Sequence, residues 1–436
     1  MSDTAAPGYP NGYPTTEQLT DHARALAARR PGIARLSSVG ASRAGRPLWL
    51  LSLGHGTRHV LTVAGAHANE PVGGAACLRL ADRLCSGDLL GARDISWHLL
   101  LCLDPDGAAL NEPWPSERPS LREHYRGFFR PAAASQPEFP PEGGDRDSLM
   151  PESRALISLL DELRPRLQFS LHGHEVGGAF VQLTGPVPGA PDAFREAAAA
   201  LDVPLEFRPY DGVDWIADSP GVLLLPEGSG TSERDPGGFS AQATWMYAMR
   251  HGTVSVVAEA PMWAAGAVSD PRPVTDPERE VATACELLLD RVEQVEKALG
   301  GLLPEGPGTA ACPLAAAARE LLDVCPAIAG TWHSLSPPRA AAAAMGTTAG
   351  NRASLGIAAR RITLRAAAMS RRALAPGGPA QALAALDALL DGWSREFETA
   401  FSPRWLPVAT QAELHVSTML GITDRALGTG LLGDGP

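Results

Sequence analysis

Residues 58–74 read RHVLTVAGAHANEPVGG. The first part, 58–65, is an apolar, β-branched run of the kind that forms a buried strand. Pro71 then opens a helical pattern that continues to residue 84, with proline in the first turn, where its missing N–H costs nothing. A strand running straight into a helix is half of a βαβ unit. The polar residues between them, His67 and Glu70, would therefore lie beyond the carboxyl end of a strand, where open α/β sheets place their sites. Gly65, Gly73 and Gly74 allow the backbone to pass close to its neighbours there.

Working outward, the same alternation repeats. Residues 96–103 (SWHLLLCL) form a second apolar run, 151–163 an amphipathic helix, 167–171 (LQFSL) a strand and 180–184 (FVQLT) a short strand. Residues 253–258 (TVSVVA) form a β-branched strand, and a long helix is expected over 276–299. This rhythm predicts an α/β layer fold with a mixed or parallel sheet and helices on both faces. Two stretches interrupt it, 111–146 and 202–238, and loops of that length inside a compact unit usually carry function. A Gly/Pro-rich linker at 300–308 precedes an Ala-rich region with helical segments at 313–324, 338–344, 359–374 and 381–396. The domain reading is a flexible N-terminus (1–14), a catalytic domain (15–299), the linker, and a C-terminal helical region (309–436).

Composition narrows the function. The chain has 436 residues and a net charge of −12, which argues against nucleic acid as a partner, since phosphate binding needs a basic surface. No secretory signal and no apolar stretch long enough to span a membrane is visible, so a cytoplasmic enzyme is expected. None of the six cysteines forms a C-x-x-C pair, and they read as reduced core residues.

His67 and Glu70, three residues apart on a turn, can face one ion. His172 follows the apolar run 167–171 and emerges at the same sheet edge. Two His and one Glu with an open fourth position make a catalytic zinc set. His174, two residues on, competes for the third place. Glu259, after the strand TVSVVA, is placed to act as general base if it faces the metal, since zinc lowers the pKa of water toward about 7.

In this order the chain resembles the carboxypeptidase A-like zinc carboxypeptidases, the M14 family. The resemblance rests on His67-x-x-Glu70, Pro105-Asp106-Gly107, Pro151-Glu152-Ser153-Arg154-Ala155, His172 and Glu259, and it covers roughly residues 15–295. It implies a central mixed, mostly parallel sheet of about eight strands flanked by helices, with the helical region appended. It also implies one Zn2+ held by His67, Glu70 and His172, with Glu259 as base. The expected reaction is hydrolysis of an amide bond in a small peptide or peptide-like substrate bearing a free carboxylate.

The chain departs from the family where the substrate is read. The family's D-x-N-R aligns with Glu123-His124-Tyr125-Arg126. Glu123 is then the carboxylate that orients His67, and Arg126 the bidentate carboxylate clamp, with Arg130 and Arg118 as alternatives. Arg118 falls where the family often has an arginine that polarises the scissile carbonyl. Tyr125 cannot copy an asparagine amide. The family's mobile tyrosine has no counterpart: its spacing falls near Gly237-Gly238, and Tyr210, Trp245 and Tyr247 read as core or loop aromatics. Two further readings follow. One is a deacylase similar to succinylglutamate desuccinylase and aspartoacylase, whose G-x-H-x-N-E-P-x-G-like string GAHANEPVG fits. The other is a non-catalytic binding protein of the same fold.

Overall fold

The computed structural model describes residues 12–87, 94–114, 118–140, 148–209, 215–226, 243–303, 312–335, 347–429 and 431–432. Helix α1 (Thr16–Arg29) is followed by β1 (Ala34–Ala41), β2 (Pro47–Leu53), β3 (Arg58–Ala64), α2 (Val72–Ser86) and β4 (Ile95–Leu100). Short helices α3 (Pro105–Ala109) and α4 (Leu121–Gly127) lead to α5 (Pro151–Leu163). Next come β5 (Leu167–Gly177), β6 (Phe180–Leu183), α6 (Ala190–Ala200), β7 (Ile216–Ser219), β8 (Val222–Leu224), the single turn α7 (Thr244–Tyr247) and β9 (Val254–Ala264). The rest is helical: α8 (Pro277–Leu299), α9 (Pro313–Ser334), α10 (Ala349–Leu374), α11 (Ala380–Phe401) and α12 (Val408–Gly428), with β10 (Arg404–Trp405) between the last two.

The strands make one sheet in the order β1-β2-β4-β3-β5-β9-β6-β8-β7, and β10 adds to β9. Its centre, β4-β3-β5-β9, is parallel; the β1-β2-β4 flank is antiparallel, and on the other flank β6 pairs antiparallel to β9 and parallel to β8, with β7 antiparallel at the edge. The mixed α/β sheet is as expected. Its path holds nine strands because the edge hairpin β7–β8 pairs onto β6 inside the stretch 202–238. All eleven residues of β5 are buried, as a central parallel strand with both faces covered requires.

Two strands run further than their apolar patterns suggest. The patterns stop at Leu171 and Ala258, but β5 and β9 stay paired in register as far as Gly177 and Ala264. His172 and Glu259 are therefore register partners inside the sheet, not residues released at strand ends. Pro261 is tolerated because β9 has no second neighbour between Glu259, the last residue paired to β6, and Trp263, where β10 joins. Gly73 brings α2 onto the parallel centre. A Cβ there would lie 3.0 Å from Ala64 Cβ and 3.1 Å from Leu171 Cβ, so any side chain would push the helix or its neighbours on β3 and β5 apart by a few tenths of an ångström.

The C-terminal helices lie directly on the sheet. Val416, Met419 and Ile422 of α12 belong to the same continuous apolar core as Val60, Leu171 and Ala258. The segments expected at 359–374 and 381–396 are parts of α10 and α11, whereas 338–344 falls outside the described residues. Helix α12 went unread because polar residues, Gln411, His415, Thr418 and Thr423, share its buried positions with the apolar ones, which blurs the helical period. No helix among the described residues is long and apolar enough to cross a membrane.

Candidate metal centre

Gly65 ends β3 with a positive φ of 60°, and a Cβ there would sit 2.8 Å from Cys102 Sγ. This turn throws His67 and Glu70 over the end of the sheet. Asn111 holds the turn from behind: its Nδ2 donates to the carbonyls of Ala68 (2.9 Å) and Phe129 (2.9 Å), and its Oδ1 accepts from Phe129 N–H (2.9 Å). The same contacts set the next residue, Arg130, beside His67 and Glu70.

Glu70 is the hub. Its Oε1 lies 3.0 Å from His67 Nδ1 and accepts from Arg130 Nη1 at 2.8 Å. Its Oε2 lies 2.9 Å from His172 Nδ1 and accepts from Gly173 N–H at 3.2 Å. Arg130 Nη2 is 3.0 Å from His67 Nδ1. Burial pushes the Glu70 carboxyl up, but His67, His172 and Arg130 hold it well below the usual carboxylate range.

Behind the two imidazoles sits a residue that the sequence reading missed. Glu138 Oε2 lies 2.8 Å from His67 Nε2 and Oε1 lies 3.2 Å from His172 Nε2. Ser170 Oγ donates to Glu138 at 3.1 Å. Burial pushes the Glu138 carboxyl up, yet the two imidazoles bring it below its ordinary value. For His172, burial lowers the pKa, but Glu138 and Glu70 together carry it well above. The His172 carbonyl also accepts a hydrogen bond of 3.0 Å from His415 Nε2 on α12. Burial holds the His415 imidazole down to about 4, and it is therefore neutral.

Two sets of potential ligand atoms close to within 4.8 Å: His67, Glu138 and His172, and Glu70, His172 and Glu259. They mark opposite faces of the imidazole pair. Glu138 is 2% exposed and lies beside Phe139, whose ring is 5.8 Å from that of His67. On the other face Glu259 is 12% and Arg130 21% exposed. Only the Nδ1 face, with Glu70 and Glu259, can receive both an ion and a substrate. Glu70, Glu138 and Glu259 thus surround the imidazole pair with carboxylates on both faces. Two imidazoles and a carboxylate are donors suited to zinc. The residues fit the ion.

The other expected site residues lie elsewhere. Glu123 does not orient His67: it closes a capping box on α4, with Ser120 N–H donating to its Oε2 at 2.8 Å. The D-x-N-R alignment is therefore displaced, and the orienting carboxylate is Glu138, fifteen residues later in the Pro-rich loop. Arg126 is exposed on α4 and Arg118 is exposed before it, so neither reaches the imidazoles; Arg130 does. His124 and Tyr125 are buried against Glu175 instead. Tyr247 Oη donates to Asp161 on α5 at 3.0 Å, and Trp245 packs on Trp215. Tyr210 and Gly237-Gly238 lie outside the described residues. Replacing Glu138 with Ala leaves His67 Nε2 without its rear carboxylate and His172 Nε2 with Ser170 Oγ, 2.8 Å away, in place of the charged partner. Zinc affinity, measured by chelator competition, is expected to fall about 10- to 100-fold.

The chain is similar to known proteins over part of its length. The zinc carboxypeptidase family model, Peptidase_M14, matches residues 19–181. Carboxypeptidase SOL1 of Arabidopsis thaliana is 25% identical over 174 residues, 37% of this chain, and the match spans a third (33%) of that relative's length. Among solved structures, bovine thrombin-activatable fibrinolysis inhibitor in complex with tick carboxypeptidase inhibitor is 14% identical, with a TM-score of 0.38 over 58% of this chain and 88% of that one. A metallo-carboxypeptidase from Burkholderia cenocepacia is 18% identical, with a TM-score of 0.38 over 58% of this chain and 62% of that one. Residues 19–181, which hold His67, Glu70 and His172, are thus similar to the zinc carboxypeptidase (M14) family.

Proposed function

We propose that the protein is a zinc-dependent peptidase that hydrolyses an amide bond in a small peptide or peptide-like substrate. His67, Glu70 and His172 would hold the metal, and Glu259 would be the general base. The observation that carries this reading is the pairing of two faces. A closed face, sealed by Glu138, fixes both imidazoles, and an open face brings Glu259 within 4.8 Å of Glu70 and His172. When bound, zinc supplies Lewis-acid polarisation and a lowered water pKa. Glu259 takes a proton from the attacking water at its carboxylate and passes it to the leaving amine nitrogen. Glu138 keeps both rings oriented with their Nδ1 atoms toward the open face.

Arg130 is the arginine this reading assigns to the substrate. Its guanidinium sits at the open face, and its planar fork suits a carbonyl or carboxylate oxygen. Arg126 and Arg118 drop out of that role, and the asparagine beside Arg130 is Asn69, whose Oδ1 accepts from Nη1 at 3.5 Å.

Chelation of the metal should abolish hydrolysis of a panel of benzoylglycyl dipeptides, and one equivalent of zinc should restore it. A zinc-loaded protein that cleaves N-acyl amino acids but none of the dipeptides would replace this reading with the deacylase one. A protein that retains less than about half an equivalent of zinc would favour a binding protein.

A further inference from the structure

His174 competes with His172 for the metal in the sequence, yet its ring belongs to neither ligand cluster. Its Nδ1 lies 3.1 Å from Glu259 Oε2, and its Nε2 points to Glu206 Oε2 at 4.0 Å. Glu206 is itself fixed, accepting from Gly178 N–H at 3.0 Å. The imidazole is 4% exposed and lies near-parallel to Phe180, with ring centroids 5.8 Å apart and planes at 29°. Phe180 is the β6 register partner of Glu259, so the ring that supports His174 is anchored beside the carboxylate that His174 meets.

The backbone is shaped for this arrangement. At Gly177 a Cβ would come within 2.5 Å of His174 Nε2 and 2.7 Å of Glu206 Oε2. Any side chain there would drive the imidazole and Glu206 apart. Glu259, His174 and Glu206 thus form a line running away from the metal face, held by glycine on one side and by an aromatic ring on the other.

We propose that His174 is a positioning residue for Glu259, donating its Nδ1–H to one carboxylate oxygen and leaving the other free for the attacking water. The proposal rests on the peptidase reading for its kinetic consequence but not for its geometry. A glutamate side chain has three rotatable bonds, and without a fixed partner its carboxylate samples several rotamers. Tying one oxygen removes that freedom before substrate arrives. Misplacement of a reacting group by about 1 Å can cost on the order of 10²-fold in rate.

The test uses the zinc-loaded full chain and the variants His174→Leu and His174→Asn. Leucine fills the space without a donor, and the asparagine amide places an N–H near the Nδ1 position. On whichever benzoylglycyl dipeptide the wild type cleaves, His174→Leu should lower kcat about 10- to 100-fold. KM and zinc content should change less than about twofold, and His174→Asn should recover most of the loss. Crystal structures of the wild type and of His174→Leu supply the second readout, with the Glu259 carboxylate expected to leave its wild-type rotamer in the variant. An unmoved carboxylate overturns the proposal, as does a kcat within about twofold of wild type or a loss that follows zinc content. A wild type that cleaves no dipeptide overturns the peptidase reading alone, and the two crystal structures then decide the role of His174.

Discussion

Glu259→Gln is expected to lower kcat by about 10³-fold, the middle of the range for general acid–base catalysis, while zinc content and melting temperature stay near those of the wild type. The substitution is nearly isosteric, and the β5–β9 register that places residue 259 beside His172 is made by backbone. The sheet therefore has no reason to move. The lost function is specific: an amide cannot take a proton from water or return it to the amine. Gln keeps an oxygen that can still face His174 Nδ1, so positioning survives and the proton acceptor does not. The measurement is kcat and KM on the dipeptide panel beside metal analysis of the same sample. Equal activity in the variant would remove Glu259 from the mechanism. Loss of both activity and zinc would instead make Glu259 a ligand, an outcome that its closeness to Glu70 and His172 makes worth measuring.

How far the site was legible in the sequence depends on how each residue is held. His67, Glu70, His172 and Glu259 follow apolar runs, so local pattern and the rule about strand ends located them together. The strands overshoot those runs because residues 172–177 and 259–264 are held by pairing with each other and by helices packed on them. A polar-looking sequence can be deeply buried when its partners are distant in the chain. Glu138 was invisible for a related reason. It lies in a proline-rich loop with no period, and only its contacts with two imidazoles, one in the turn after β3 and one on β5, give it a role. The arginines were hardest. Arg118, Arg126 and Arg130 are chemically identical in the sequence, and the capping box that fixes α4 decides that Arg126 faces solvent. Arg130 reaches the site because Asn111 anchors Phe129 next to it. Spacing cannot report a tether formed by a side chain eighteen residues earlier.

Removing Arg365 from α10 should be among the most destabilising single changes in the protein, costing about 3–5 kcal/mol. Glu175 on β5 is fully buried and faces away from the metal centre. Arg365 meets it with two hydrogen bonds, Nε to Oε1 at 2.8 Å and Nη2 to Oε2 at 2.7 Å, and Arg361 lies 3.7 Å away. Burial pushes the Glu175 carboxyl up, but Arg365, His124 and Arg361 hold it well below its ordinary value. Replacing Arg365 with Ala removes both of these hydrogen bonds from a buried carboxylate three residues from His172 and leaves it Arg361 at 3.7 Å and His124 at 3.9 Å, whereas replacing both Arg365 and Glu175 with apolar residues of similar volume should cost less, since no buried carboxylate is then left without its guanidinium hydrogen bonds. The pH dependence has a definite sign. Because the folded pKa lies below the unfolded one, the stability from Glu175 is complete above about pH 4.3 and disappears as pH falls toward the folded value. Glu175→Gln should therefore differ from wild type most near neutral pH, and the difference should shrink in acid. Denaturant unfolding of Arg365→Ala, Glu175→Gln and an Arg365→Met/Glu175→Leu double variant measures these terms. If Arg365→Ala unfolds with the wild type, α10 is an appendage. If it falls as expected, this charge pair makes the strand that carries His172 depend on the C-terminal helices for its stability.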